Sequence, residues 1–216
     1  MNTFSWNLRY PDAVRFSNLI MWAAGTAGPI APPGTYSVRM RVGTETQTHP
    51  IRVRKDPRST ATDADLQAQF RLLIAIRDKV SEANNGVRTV RNMRWQVEDR
   101  TGRLSAAQRA EFVRLSGTMM DSVTYRENEV YQTRNQSGQD PLNYPIRLNN
   151  KIAALAGGVA SADARPTDQS RVVFDELSAA LQRELDRVAA VLRDRIPAFN
   201  AAVRGLDLPA VVVESR

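Results

Sequence analysis

Residues 62–99 read TDADLQAQFRLLIAIRDKVSEANNGVRTVRNMRWQVED, and their apolar positions decide the fold class. Leu66, Leu73, Val80 and Val87 recur every seven residues. Ile76, Ala83, Val90 and Val97 recur at the same interval on the adjoining row. Two such rows make one apolar stripe along a helix. Thr62 suits the N-cap, and Asp63 and Asp65 place acids in a first turn whose unpaired N–H groups favour them. Asn84, Asn85 and Gly86 would ordinarily mark a break, because glycine inside a helix costs about 1 kcal/mol against alanine. The heptad frame runs through them unbroken, so a single helix is expected over 63–99.

Downstream the helical period continues. Ser105 is placed to cap a second helix over 106–134, striped by Phe112, Leu115, Met119, Val123 and Val130. Pro145 suits the first turn of a third helix, along which Leu148, Ile152, Leu155 and Val159 are spaced four, three and four apart. Asn149, Asn150 and Lys151 interrupt that stripe. One of them could turn inward and fix register by hydrogen bonding, or touch a ligand. Thr167 caps a fourth helix with a stripe of Phe174, Leu177, Leu181, Leu185, Val188 and Leu192. Pro197 predicts a kink or an end near Arg195, with a last turn stopped at Gly205. Four amphipathic helices on short loops predict an antiparallel four-helix bundle over 59–216.

Upstream, over 1–58, the period is two. Phe4, Trp6 and Leu8 alternate with polar residues, the pattern of a half-buried strand. Pro32, Pro33 and Gly34 form a turn signal. Tyr36, Val38, Met40 and Val42 then alternate with Ser37, Arg39 and Arg41, and Ile51 and Val53 alternate with Arg52 and Arg54. With a turn at 43–45, this is the clearest β-hairpin in the chain. Trp6, Trp22, Tyr10 and Tyr36 concentrate aromatic area here. That reads first as core packing and second as a platform for stacking a sugar or a base.

Composition narrows the chemistry. The 216 residues include no cysteine, and His49 is the one histidine, so thiolate catalysis, zinc-cysteine sites and paired-histidine chemistry are all excluded. His49 precedes Pro50 and reads as an edge residue of the hairpin. Neither a G-x-S-x-G elbow nor a P-loop nor a dinucleotide fingerprint occurs. Carboxylates close in sequence, Glu127 with Glu129, Asp175 with Glu176 and Glu98 with Asp99, diverge around a helix and read as solvated faces. The net charge is +7, of which residues 1–58 supply +5. Arginine makes up 27 of the 30 basic residues, a skew that coding bias explains as well as phosphate recognition does. No apolar run of 18 residues is present, and residues 1–30 carry no signal-peptide pattern.

Two wordings carry a family resemblance. FSWNLRYPDA followed by LIMWAAGTAGPIAPPGTYSVRMRVGTETQTHPIRVRKDPR resembles a segment of large exported bacterial proteins with a sortilin-like or BNR-repeat β-propeller, often labelled glycosyl hydrolases. DLQAQFRLLIAIRDKVSEANNGV and DPLNYPIRLNNKIAALAGGVASADARPTDQS resemble the helical segment that follows in that family. The likeness covers nearly the whole chain, although Asn7 stands where the family usually has aspartate. The propeller, on which the hydrolase label rests, lies upstream in the family and is not in these residues. By this resemblance the strand at Phe4 falls late in an immunoglobulin-like or fibronectin-like module, with Met1 where a preceding strand would be ending. The parent protein would be periplasmic or extracellular.

The expected fold is α+β, mainly α: a partial immunoglobulin-like β unit over 1–58 and an antiparallel four-helix bundle over 59–216. The expected function is that of a non-enzymatic structural or protein-interaction module with no cofactor or metal. It is completed by a partner strand, by the upstream propeller or by a second copy. The candidate surface comprises Trp6, Trp22, Tyr36, Val38, Arg39, Arg41, Arg52 and Arg54. Two alternatives are an accessory or substrate-binding part of a glycoside hydrolase, and polyanion binding by the basic hairpin. Nucleic acid is the less favoured polyanion, and no membrane span is expected.

Overall fold

In the computed structural model, residues 3–205 and 209–213 are described. The chain is α+β and mainly helical: β1 Gly34–Val42, β2 Glu45–Val53, α1 Asp63–Gly102, α2 Ala106–Val130, α3 Leu148–Val159 and α4 Asp168–Arg204. Thr62 caps α1 in a full capping box. Its hydroxyl accepts from Asp65 N–H while the Asp65 carboxylate accepts from Thr62 N–H. Ser105 and Gln108 do the same for α2, and Thr167 caps α4 through Ser170 N–H. No helix among the described residues is long and apolar enough to cross a membrane.

α1 is one helix of 40 residues, about 60 Å long, and it runs through Gly86 as the heptad frame requires. Leu185 explains the glycine. A methyl group on Gly86 would meet the Leu185 Cδ2 at 2.4 Å, so the missing side chain lets α4 come close. Pro197 neither ends α4 nor divides it; the helix continues to Arg204, with Phe199 and Val203 still buried beyond the proline. Pro145 lies outside α3, which begins at Leu148, and its carbonyl accepts from the Gln132 side chain.

Four α-helices are present among the described residues, but they do not pack as four antiparallel rows. Asn84 of α1 meets Asn149 at the start of α3, while Gln69 of α1 reaches the Val159 carbonyl at its end, so α3 runs antiparallel to α1. α2 is antiparallel to α1 as well: Arg91 and Arg94 bind Glu127 near its C-terminal end, and Val97 shares a core with Phe112 near its beginning. α4 starts where α3 stops. Leu181 packs with the first half of α1, and Phe199 and Val203 pack with the second half, so α4 runs parallel to α1. α2 and α3 therefore share one row. Their 25 and 12 residues together match the 37 of α4. The body is an elongated three-row bundle whose middle row is interrupted between Val130 and Leu148.

A strap from the N-terminal region covers that interruption. Residues 10–31 form no helix or strand beyond a single bridge between Arg9 and Ile30, and the strand expected at Phe4 is not formed. Side chains of the bundle hold the strap by its backbone. Ser81 and Asn84 take both polar groups of Val14, and the Tyr131 hydroxyl joins Ile20 N–H to the Asn18 carbonyl. The Asn150 amide accepts from Trp22 N–H at 2.6 Å and donates to the Trp22 carbonyl at 2.9 Å. Ala13, Phe16 and Leu19 enter the first of the two cores, with Phe16 edge-on to Tyr131 at 4.9 Å. The C-terminal residues 209–213 are gripped in the same manner by Gln96, Arg100 and Asn200.

The strap doubles back on itself at Gly28, where an added Cβ would lie 2.0 Å from the Tyr10 carbonyl oxygen and 2.5 Å from that of Pro11. Those obstacles are backbone and cannot swing away. Gly28→Ala is accordingly expected to cost about 1–3 kcal/mol through overpacking. It should also speed hydrogen exchange at the Tyr10 and Ala31 amides, which bond Pro29 and Leu8 across the fold-back. Unchanged exchange there would contradict this packing.

Candidate interaction surface

The hairpin forms because both strands are rich in β-branched and aromatic residues and the loop suits a tight reversal. Gly43 has φ +61°, the left-handed value needed at the first position of a two-residue turn that follows strand twist. The register pairs Val42 with Glu45 and runs to Gly34 opposite Val53. Residues opposite one another share a face. Tyr36, Val38, Met40 and Val42 thus lie with Ile51 and Val53, and with Glu45, Gln47 and His49 nearer the turn, on one face that is apolar along β1. Thr35, Ser37, Arg39 and Arg41 lie with Arg52 on the other.

Among the described residues neither face is covered by a helix, and the only element each strand packs against is its partner strand. Val38, Met40 and Val42 are 47%, 53% and 68% exposed. Two strands alone are marginal in water, so this apolar face is in want of a cover. The hairpin is anchored at its root. The Tyr36 hydroxyl donates to the Pro32 carbonyl at 2.6 Å, and Gln67 of α1 donates to the Pro33 carbonyl. Trp6 stands edge-on to Tyr36 at 5.5 Å with its indole N–H on the Arg9 carbonyl. Partial burial, then the neighbouring Tyr10, push the Tyr36 hydroxyl above the usual tyrosine range.

The eight residues expected to form one surface are thus divided. Trp6, Tyr36 and Val38 come together. Arg39, Arg41 and Arg52 form a separate stripe on the reverse face, and Arg54 follows just past the end of β2. Among the described residues none of these four arginines has a carboxylate partner. Trp22 belongs elsewhere, on the strap under Asn150. No protein-family model matches the chain, and no match was found among curated proteins or solved structures.

A cleft of about 530 Å³ opens between the strap, the hairpin root, α1 and α3, walled mainly by apolar side chains such as Phe70, Leu73 and Ile76. Asp56 and Asp163 both line it. Glycoside hydrolysis needs one carboxyl that keeps its proton to raised pH. Asp56 is set up in the opposite sense, since the Arg58 guanidinium at 2.7 Å and the Arg58 N–H hold it below the usual carboxylate range. Of the other paired acids, Glu127, Glu129 and Asp99 are ion-paired and the rest face solvent. Glu127, expected on a solvated face, is buried between Arg91 and Arg94, and Glu129 pairs with Arg147. Asp175, Glu176 and Glu98 are exposed, and Asp99 pairs with Arg103.

Sequence reasoning placed Asn149 and Asn150 as a polar interruption of an apolar stripe, and both are buried with hydrogen bonds. It did not find Ser81, Asn84, Gln96 or Asn200. These sit on helix faces that look ordinary until the strap and the C-terminal residues are laid against them.

Proposed function

We propose that this chain is a non-enzymatic structural or protein-interaction module, the C-terminal part of a larger exported protein, whose hairpin is completed by oligomerisation or by a partner strand. The reading follows the resemblance to sortilin-like or BNR-repeat propeller proteins, and a periplasmic or extracellular location of the parent protein goes with it. The observation that carries it is the uncovered hairpin, with half-exposed valine and methionine and, among the described residues, no helix against either face. Polyanion binding by Arg39, Arg41, Arg52 and Arg54 draws on the reverse face of the same hairpin and differs in needing no strand edge.

Light scattering with an apolar-sensitive dye tests the reading. The chain is expected either to exceed its monomer mass of 24.1 kDa or to bind the dye, and Val38→Thr with Met40→Thr should reduce whichever signal is seen. A monomer that leaves the dye dark would overturn it.

A further inference from the structure

The two edges of the hairpin are not equivalent. With a two-residue loop, the closing pair Val42 and Glu45 exchanges both hydrogen bonds, and bonded and non-bonded pairs alternate from there. Ser37 opposite Pro50 is then a non-bonded pair. A proline at such a place removes nothing from the hairpin itself. What it removes is an outward N–H in the middle of the outer edge of β2, between those of Thr48 and Arg52. This is the usual position and effect of an edge proline. The outer edge of β1 has no such gap: Thr35, Ser37, Arg39 and Arg41 all keep outward backbone groups.

Chemistry on the two faces narrows what can pair with β1. An added strand continues the apolar face through every second side chain and the arginine face through the ones between. Its residues must therefore be apolar next to Val38, Met40 and Val42, and acidic next to Arg39 and Arg41. A second copy of the hairpin fits less well, because it adds its own Arg39 and Arg41 to the same stripe, and like charges across neighbouring strands are unfavourable.

We infer that the free edge of β1 takes up one extended strand from outside these 216 residues, in which apolar and acidic residues alternate. This rests on reading the hairpin as an incomplete sheet, and it adds which edge is used and what the partner carries. Backbone hydrogen bonds supply the grip, and Arg39 and Arg41 supply the selection.

The test uses the whole chain and fluorescein-labelled nonapeptides of alternating valine and glutamate, alternating valine and lysine, and the valine–glutamate composition in scrambled order. The alternating acidic peptide should bind at least tenfold tighter than either control. Arg39→Glu with Arg41→Glu should reverse the preference towards the lysine peptide. Ser37→Pro should abolish binding, whereas Thr48→Pro, at a non-bonded site on the other edge, should leave it within twofold. Far-UV circular dichroism shows that the helices stay folded in each variant, and slow hydrogen exchange at the Val38 and Met40 amides, which bond across to β2, shows that the hairpin does.

Equal binding of the scrambled acidic peptide, or binding untouched by Ser37→Pro and lost in high salt, makes the site a polyanion surface and overturns the inference. Self-association without peptide binding overturns it too, while leaving the incomplete-sheet reading in place. A dye-dark monomer that binds no peptide removes both.

Discussion

Phe112→Ala is expected to lower the unfolding free energy by about 3–5 kcal/mol, the cost of an aromatic core truncation that leaves a cavity. Phe112 is 0% exposed and packs its ring edge-on against Phe199 at 5.0 Å. Part of the loss, about 0.5–1.5 kcal/mol, belongs to that ring pair and should be missing when the truncation is repeated in a Phe199→Leu background. The site lies in the second of two core clusters, which joins the far halves of α1 and α4 to α2. Because α1 and α4 run through both clusters, the two halves should melt together. Trp22 and Trp95 lie in different halves and serve as probes; urea curves followed at each should shift to the same lower midpoint. A shift worth less than about 1 kcal/mol would show that Phe112 is not a core residue.

Glu127→Ala should be nearly as damaging, at about 3 kcal/mol, the lower end of what breaking a buried ion pair costs. The carboxylate is only 2% exposed and takes Arg91 Nε at 2.7 Å and Arg94 Nη2 at 2.5 Å. Both arginines are about one-third exposed, so water can soften the loss of their partner. Arg91 has a second duty. Its guanidinium lies over the rings of Phe16 and Tyr131 and reaches the Ser17 carbonyl, tying α1 to the strap. Glu127→Gln keeps the shape and one acceptor and should lose roughly half as much. Thermal unfolding with strap proteolysis reads both effects; equal stability of all three proteins would refute this role.

Helix identity was legible because each stripe repeats over many turns. Thr62, Ser105 and Thr167 announced three starts correctly through the side chains that cap them. Direction was not legible. Short loops imply antiparallel neighbours only when each helix fills a row, and nothing local tells α2 and α3 that they share one. The Phe4 alternation misled for a related reason: period two marks an extended chain, and this one meets only the single bridge between Arg9 and Ile30 in place of a strand. The hairpin was read with the right faces, and with a turn one residue too long because Glu45 already pairs with Val42; alternation and a glycine at the reversal are local signals. Glu127 could not be read, since its burial depends on Arg91 and Arg94 from another helix.

Pro50 also bears on how copies of this protein behave when crowded. A ribbon that grows without limit requires every unit to offer two competent borders, one to receive and one to extend. Here a ring nitrogen takes one donor from the centre of one of them, so stacking of hairpins beyond a pair is disfavoured.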